Sequence, residues 1–162
     1  MTNSLGPILP EELYSRLNSR DLSGLGKRVI VFTTVDEDGW PRDGMLSHYE
    51  VVAKDRTSLL LLTYGDSRST RNLLRSGNAL LLFIDEEMSL YVRVQCSKVA
   101  TGDDPVLGTT DEVLFEGKVL DVLEDKLSTA SITSGITFSG YDPGMPADER
   151  AKVRDALMSF KL

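Results

Sequence analysis

The sequence predicts a mainly β fold, a small antiparallel barrel of six strands with helices at its ends. Two observations support this prediction. Six segments of strand length follow one another, most of them joined by short turns, and the segments near the two ends of the chain have helical periodicity instead. Consecutive strands with short connections favour an antiparallel sheet that closes on itself, because parallel strands need long crossover connections.

The six predicted strands differ in how their apolar residues are arranged. In order, they are KRVIVFTTV, RDGMLSHYEVVA, SLLLLT, NALLLFID, SLYVRVQCSKVATG and DEVLFEGKVLDVLED. The turn residues of DEDGWP join the first two in a long hairpin. The third and fourth are apolar on both faces, which in an antiparallel sheet requires an outer cover, and a second subunit is one candidate. Gly117 interrupts the sixth strand and predicts a bulge or bend.

Helices are predicted at both ends of a single domain spanning residues 1–162. The first, at about 10–19, begins at Pro10, and its leucines recur every four residues. The last is predicted at about 147–160. The barrel then occupies about 27–138, although STASITSGITFSG near its end reads either as a short strand or as an irregular crossing. A further helix of about two turns, SRSTRNLLRS, ends at Gly77.

Composition excludes several classes of function. The chain has 162 residues, a formal net charge of -7 and a pI near 4.7, so it would repel nucleic acids and anionic membranes. We expect a cytoplasmic protein, because no signal peptide or apolar run of about 20 residues is present. A single cysteine and a single histidine exclude an intramolecular disulfide and the usual zinc sites, so redox chemistry would need an organic cofactor.

A polar cluster, YGDSRSTRNLL at 64–74, stands between two strongly apolar strands. One interpretation is a phosphate site, because free N–H groups at a helix start, hydroxyls and an arginine all donate to phosphate. The other is a helix capped by Ser67, with the arginines in solvent. The residues of the cluster by themselves leave both interpretations open.

Three segments resemble the pyridoxamine 5'-phosphate oxidase-like family of FMN-binding split barrels. VIVFTTVDEDGWPRDGMLS is similar to the first hairpin of that family. LLLTYGDSRSTRNLLRSGNALLLFI is similar to its third strand, phosphate-binding helix and fourth strand, and the following strand pair also fits. The similarity covers roughly 27–121. It implies a six-stranded FMN-binding split barrel and a homodimer, with two flavin sites lined by both chains.

The resemblance also implies a set of cofactor-binding residues. The family's phosphate turn has the form Y-T-N-x-x-S-R-K, and Thr63, Ser67 and Arg68 match it, whereas Ser69 replaces the lysine. Leu46 and Ser47 would run along the flavin ring. The full expected set at the cofactor is Leu46, Ser47, Thr63, Ser67, Arg68, Ser69 and Thr70.

One further position departs from the family pattern. The oxidases carry an arginine three residues after the hairpin proline, but Pro41 here leads to Gly44. Arg42 lies two residues earlier, which moves it about 6 to 7 Å along the strand. With Ser69 also lacking charge, the resemblance does not extend to true pyridoxamine phosphate oxidase activity.

Three other features have competing interpretations. His48 could protonate a substrate or lie beside a flavin, or it could be a structural strand residue. Strand alternation predicts that it faces away from Ser47. Trp40 is either a lid over a ligand or an aromatic packed on its own hairpin. The acidic run 36–38 is interpreted as a solvated tip without a metal, since it lacks the spacing of a calcium loop.

We therefore interpret the chain as a flavin-binding, oxidoreductase-like protein. No catalytic side chain is identified, and its small-molecule substrate is unknown. FMN is the expected cofactor. The alternative is a non-enzymatic split-barrel dimer that binds another small ligand, F420 or haem, or none. A haem site would have His48 as its only obvious nitrogen ligand.

Overall fold

The computed structural model describes residues 2–86, 88–101, 111–126, 128–139 and 147–162. These residues form three helices and eight strands. In chain order the elements are β1 (Thr2–Gly6), α1 (Glu11–Leu17), β2 (Val29–Val35), β3 (Pro41–Ser47), β4 (Val51–Ala53), β5 (Ser58–Tyr64), α2 (Arg68–Ser76), β6 (Asn78–Asp85), β7 (Met88–Thr101), β8 (Glu112–Asp125) and α3 (Ala147–Ser159).

All the strand pairs are antiparallel, in the order β3-β2-β6-β7-β8-β5-β4, and β1 adds to β8. Strands β3 and β4 lie at opposite ends of this order, although only residues 48–50 separate them along the chain. Three residues reach only about 11 Å. The sheet must therefore curl until its two end strands approach each other, which produces a half-barrel.

The mainly β, antiparallel prediction is confirmed, but the structure has eight strands where the sequence predicts six. The predicted second strand divides into β3 and β4, because residues 48–50 form a turn between them. The extra strand β1 has the sequence TNSLG, and its residues are mostly exposed. It lacks the apolar pattern from which strands are predicted, and it forms by pairing with the end of β8.

Gly117 is not the predicted bulge. It pairs in regular register with Leu59 on one side and Cys96 on the other, whereas the register shifts of β7 and β8 leave Val99 and Leu120 as the extra residues. A Cβ atom on Gly117 would lie 2.9 Å from Cδ1 of Leu61. Glycine at this position therefore permits a close approach between strands rather than a bend.

The outer face of β5 is covered by α3 of the same chain. Leu60 and Leu62 of β5 form a buried cluster with Leu157 of α3, and Phe160 packs against it. The expectation that a second subunit covers this strand is therefore wrong. The other face of β5 belongs to the main core inside the half-barrel, which explains why its sequence is apolar at nearly every position.

Arg154 connects α3 to the rest of the molecule through hydrogen bonds. Its side chain is 1% exposed. Its guanidinium donates to the carbonyl oxygens of Leu17 at 2.6 Å, His48 at 2.7 Å and Val51 at 2.5 Å, and also to that of Ser19. One side chain thus joins α3 to the end of α1 and to the turn between β3 and β4.

The segment from 128 to 138 is an irregular crossing with a single β-bridge, between Arg28 and Thr137. It passes so close to β6 that a Cβ atom on Gly135 would overlap the carbonyl of Ile84. Among the described residues, no helix combines the length and the apolar character needed to span a membrane.

Candidate functional site

The polar cluster forms the junction between the end of β5 and the start of α2. Ser67 is the N-cap of α2, and its Oγ accepts a hydrogen bond from the N–H of Thr70 at 3.1 Å. Oγ1 of Thr70 lies 2.7 Å from Oγ1 of Thr63 and 2.6 Å from the carbonyl of Tyr64. The three predicted hydroxyls of Thr63, Ser67 and Thr70 are therefore brought together and bonded to one another.

Arg68 and Arg71 do not simply extend into solvent. Nη1 of Arg68 lies 3.4 Å from Oδ2 of Asp36, and Nη1 of Arg71 donates to the carbonyl of Asp66 at 2.8 Å. Asp36 in turn accepts from Nδ2 of Asn72 at 2.7 Å. The hydrogen bond from Asn72, and to a lesser degree that from Arg68, lowers the pKa of the Asp36 carboxyl. Asp36 is therefore an ordered ion-pair partner and not part of a solvated tip.

The two positions that depart from the oxidase pattern lie next to each other. A Cβ atom on Gly44 would be 3.6 Å from Oγ of Ser69 and 3.4 Å from Cδ1 of Phe32. Ser69 is buried. A strand position and a helix position far apart in sequence thus meet at the start of α2, and neither supplies a charge there.

The side chains of Leu46 and Ser47 point into the protein. Leu46 belongs to the main core, and the hydroxyl of Ser47 donates to Oε2 of Glu50 at 2.9 Å. Burial raises the pKa of Glu50. Any contact from this part of β3 to a ligand would therefore come from its backbone. At Ser47 the N–H already donates to Oε2 of Glu50 at 2.6 Å, and the carbonyl accepts from the N–H of Glu50 at 3.1 Å.

His48 is enclosed by the fold. It is 4% exposed, and burial lowers its pKa to about 4, with smaller contributions from nearby arginines. The strand alternation behind the prediction that it faces away from Ser47 does not extend to His48, because β3 ends at Ser47. Both side chains are buried. A neutral, enclosed imidazole is poorly suited to donate protons or bind a metal at a surface site.

A groove that the sequence patterns did not predict faces the outer side of α2. This groove has a volume of about 570 Å³ and lies between that helix and the hairpin tip of β2 and β3. Asn72 and Arg75 line it together with Arg68 and Asp36. Arg71 follows Arg68 by three residues and Arg75 follows Arg71 by four, and this spacing could have predicted one charged helix face. Trp40, at the tip, is 72% exposed, so it does not pack on its own hairpin.

The described residues contain no group of three or more histidine, cysteine or acidic side chains that could hold a metal. Cys96 is also unsuited to chemistry, because burial raises the pKa of its thiol to about 12. The polar groups at the start of α2 are therefore the strongest candidate site in the part of the chain that the structure describes.

Comparison with known structures relates this arrangement to a known fold. A candidate pyridoxamine 5'-phosphate oxidase from Lactobacillus delbrueckii matches with a TM-score of 0.57 at 19% identity, covering 74% of this chain and 97% of that one. The chain has the split-barrel fold of the pyridoxamine 5'-phosphate oxidase-like proteins. The fold that the sequence resemblance implies is thereby confirmed.

Two other solved structures share this split barrel. An FMN-binding protein from Syntrophomonas wolfei matches with a TM-score of 0.51 at 16% identity, covering 72% of this chain and 88% of that one. A protein named F420 reductase matches with a TM-score of 0.51 at 18% identity, covering 70% and 98%.

In sequence, the chain is 26% identical over 135 residues to the uncharacterised protein YclD of Bacillus subtilis, covering 83% of this chain and 86% of that protein. No protein-family model matches the chain.

The start of α2 in this split barrel suits a phosphate group, but with less charge than the resemblance implies. The N–H groups of Arg68 and Ser69 occupy the first two helical positions, where no intrahelical acceptor exists. Ser69 adds a hydroxyl, and Gly44 lies beside it. Arg68 is the only cation that the matching positions supply, because glycine and serine replace the other two.

Proposed function

We propose that this split barrel binds a flavin, FMN in the first instance, and acts as an oxidoreductase on a small molecule. The observation that carries the proposal is the meeting of Gly44 and Ser69 beside Arg68. Positions that the family uses to hold a phosphate thus lie next to one another at a helix start. The similarity in fold to an FMN-binding protein supports the same choice of cofactor.

Each predicted residue has a role consistent with its contacts. The N–H groups at the start of α2 and the guanidinium of Arg68 would donate to the phosphate. The hydroxyls of Thr63, Ser67 and Thr70 hold the helix start against β5, and Ser69 would contribute its hydroxyl. The backbone at Leu46 and Ser47, on the edge strand β3, would lie along the ring. A bound flavin supplies electron or hydride transfer.

We also propose that the protein is a homodimer. Val31, Leu82, Tyr91 and Leu123 form one row across the outer faces of four neighbouring strands, from β2 to β8. All four are only partly buried in the single chain. A continuous apolar row of this kind is typical of a surface that another subunit covers. In the proposed dimer each flavin site is lined by both chains.

A second candidate is a split barrel that binds the deazaflavin F420, or one that holds its ligand without catalysing a reaction. The loss of the two cations at Gly44 and Ser69 favours the form without catalysis, and the similarity in fold to a protein named F420 reductase favours F420. Haem binding has less support, because His48 is buried and therefore not accessible as a ligand.

The test is a titration of the purified protein with FMN, followed by flavin fluorescence and by thermal melting. We expect the protein to bind FMN and to melt at a higher temperature in its presence. Arg68→Ala should weaken FMN binding by about threefold to tenfold, as expected for one exposed charge-assisted contact. Arg71→Ala is the matched control, because Arg71 binds a carbonyl of its own helix start.

Two results would count against the proposal. If FMN at high micromolar concentration neither binds nor raises the melting temperature, the protein is not an FMN-binding protein. If FMN binds equally well to the wild type, Arg68→Ala and Arg71→Ala, the phosphate lies elsewhere. Titration with F420 on the same variants then tests the second candidate.

A further inference from the structure

We propose that Asp36 is an internal counter-ion of the site, which competes with the phosphate of the ligand for Arg68. As a consequence, the site would bind flavins mainly through the ring and its sugar-like chain, with little preference for a phosphomonoester. The inference rests on the proposed function, because it concerns the charge balance of the same helix start.

The carboxylate of Asp36 is held in place before any ligand binds. Its Oδ1 accepts from Nδ2 of Asn72 at 2.7 Å, and the same Nδ2 lies 3.0 Å from the buried Oγ1 of Thr34. The backbone N–H of Asp36 donates to the carbonyl of Trp40 at 2.8 Å, within the hairpin turn. The side chain is only 16% exposed. A fixed carboxylate binds a guanidinium with little loss of conformational entropy.

Arg68 differs from the other two arginines on the outer side of α2. Within the described residues, Arg68 pairs with the carboxylate of Asp36. Arg71 and Arg75 instead donate to the backbone carbonyls of Asp66 and Val35. The side chain of Arg68 is 56% exposed. An ion pair so open to water contributes little to stability, so a competing anion can exchange with it.

The charge balance at the start of α2 makes this competition decisive. The oxidase pattern places cations where this chain has Gly44 and Ser69, and these two positions are adjacent in space. A phosphate that binds here meets one guanidinium, and that guanidinium is already paired with a carboxylate. The Coulomb attraction that normally favours FMN over riboflavin is therefore largely cancelled.

The experiment measures dissociation constants for FMN and for riboflavin, because their ratio isolates the contribution of the phosphate. In the wild type we expect FMN to bind less than about tenfold more tightly than riboflavin. Asp36→Asn should tighten FMN binding about fivefold and leave riboflavin unchanged, since asparagine can still accept the hydrogen bond from Asn72. In an Arg68→Ala background, the same substitution should have no effect.

Glu37→Gln and Asp38→Asn provide charge-matched controls. Each removes one negative charge from the same hairpin tip, but neither residue is paired with Arg68 in the described structure. We expect less than a twofold change in FMN affinity for either variant, because charges without a direct contact are screened by water and salt. If Asp36→Asn, Glu37→Gln and Asp38→Asn changed FMN affinity equally, the effect would come from net charge alone and not from the contact between Asp36 and Arg68. That result would overturn the inference.

The remaining outcomes separate the inference from the proposed function. If FMN binds the wild type and Asp36→Asn equally, the counter-ion role is wrong while flavin binding stands. If neither flavin binds any variant, the proposed function fails, and inorganic phosphate then serves as the probe. Its addition should shift the backbone N–H resonances of Arg68 and Ser69 in Asp36→Asn more than in the wild type. Equal shifts would overturn the inference independently of any flavin.

Discussion

At the level of single residues, the fold changes the chemistry of His48 in the pH range where proteins are commonly studied. An isolated imidazole titrates near pH 6.5, and the buried ring of His48 has a pKa of about 4. Its Nδ1 is buried without a hydrogen-bond partner in the described structure. The ring lies near Arg16, Arg28 and Arg154, whose charges oppose its protonation. His48 is therefore a neutral structural group and not a proton donor at neutral pH.

This depressed pKa predicts how stability depends on pH. Because the unfolded chain takes up the proton near pH 6.5 and the folded chain only near pH 4, the free energy of unfolding should fall between those values. The loss due to His48 amounts to about 3 kcal/mol once the pH is below about 4. Urea unfolding at several pH values should show a shallower decline for His48→Gln than for the wild type.

The comparison between variant and wild type is needed because other groups titrate in the same range. Glu50, whose pKa is raised by burial, acts with the opposite sign, since its protonation favours the folded state. Its contribution is common to both proteins and cancels in the difference. Parallel curves for the two proteins would contradict the low pKa of His48.

At the level of elements, α2 is defined at both ends by local chemistry. Ser67 caps its start, and Gly77 ends it in the left-handed conformation, with φ of 71°. The N–H of Gly77 donates to the carbonyl of Leu73 at 2.8 Å. Gly77 also touches the neighbouring strand, because the N–H of Cys96 donates to its carbonyl at 2.7 Å. The helix end is therefore fixed both by its own cap and by β7.

Two glycines with positive φ provide a matched pair of substitutions. Gly77→Ala should lower the free energy of unfolding by about 3 kcal/mol, because the new Cβ is strained and would also lie 2.7 Å from the carbonyl oxygen of Cys96. Gly39→Ala, with φ of 88° and no neighbour within 4 Å, should cost only about 1 kcal/mol. Urea denaturation of both variants measures the difference, and equal losses would mean that the contact with β7 does not matter.

The elements were largely predictable, because helices, caps and strands follow from local residue patterns. The helix from Arg68 to Ser76 lies where the sequence predicts it, and five of the six predicted strand segments each form one strand. The errors have a common physical cause. β1 forms because it pairs with β8, and the break after Ser47 likewise does not follow from the apolar pattern of the segment itself. The close approach at Gly117 depends on Leu61, which belongs to another strand.

At the level of the whole molecule, the outer faces of the sheet are covered unequally. The helix α3 buries the outer face of β5, and Arg154 holds that helix in place. The outer faces of the strands from β2 to β8 keep the partly buried apolar row, which includes Val31 of β2 and Leu82 of β6. The proposed dimer would cover that row, in the way that α3 covers β5.

Leu82→Arg tests this interface, because it places a charge in the centre of the row. We expect the wild type to elute as a dimer and Leu82→Arg as a monomer in size-exclusion chromatography with light scattering. Leu74→Arg is the control, since Leu74 is 54% exposed on α2 and its substitution should leave the dimer intact. A monomeric wild type, or a dimer unaffected by Leu82→Arg, would contradict the proposed interface.

The sequence alone determined most of the helices and strands, and it determined the part of the candidate site whose residues are close together in the chain. Thr63, Ser67 and Thr70 meet because they lie within eight residues, at the end of a strand and the start of a helix, where short-range geometry decides the contacts. The tertiary structure decided the rest. The pairing of Arg68 with Asp36, the proximity of Gly44 to Ser69 and the pKa of His48 all depend on segments that are distant in sequence. Such contacts arise only when the sheet curls, and no local pattern of residues encodes them.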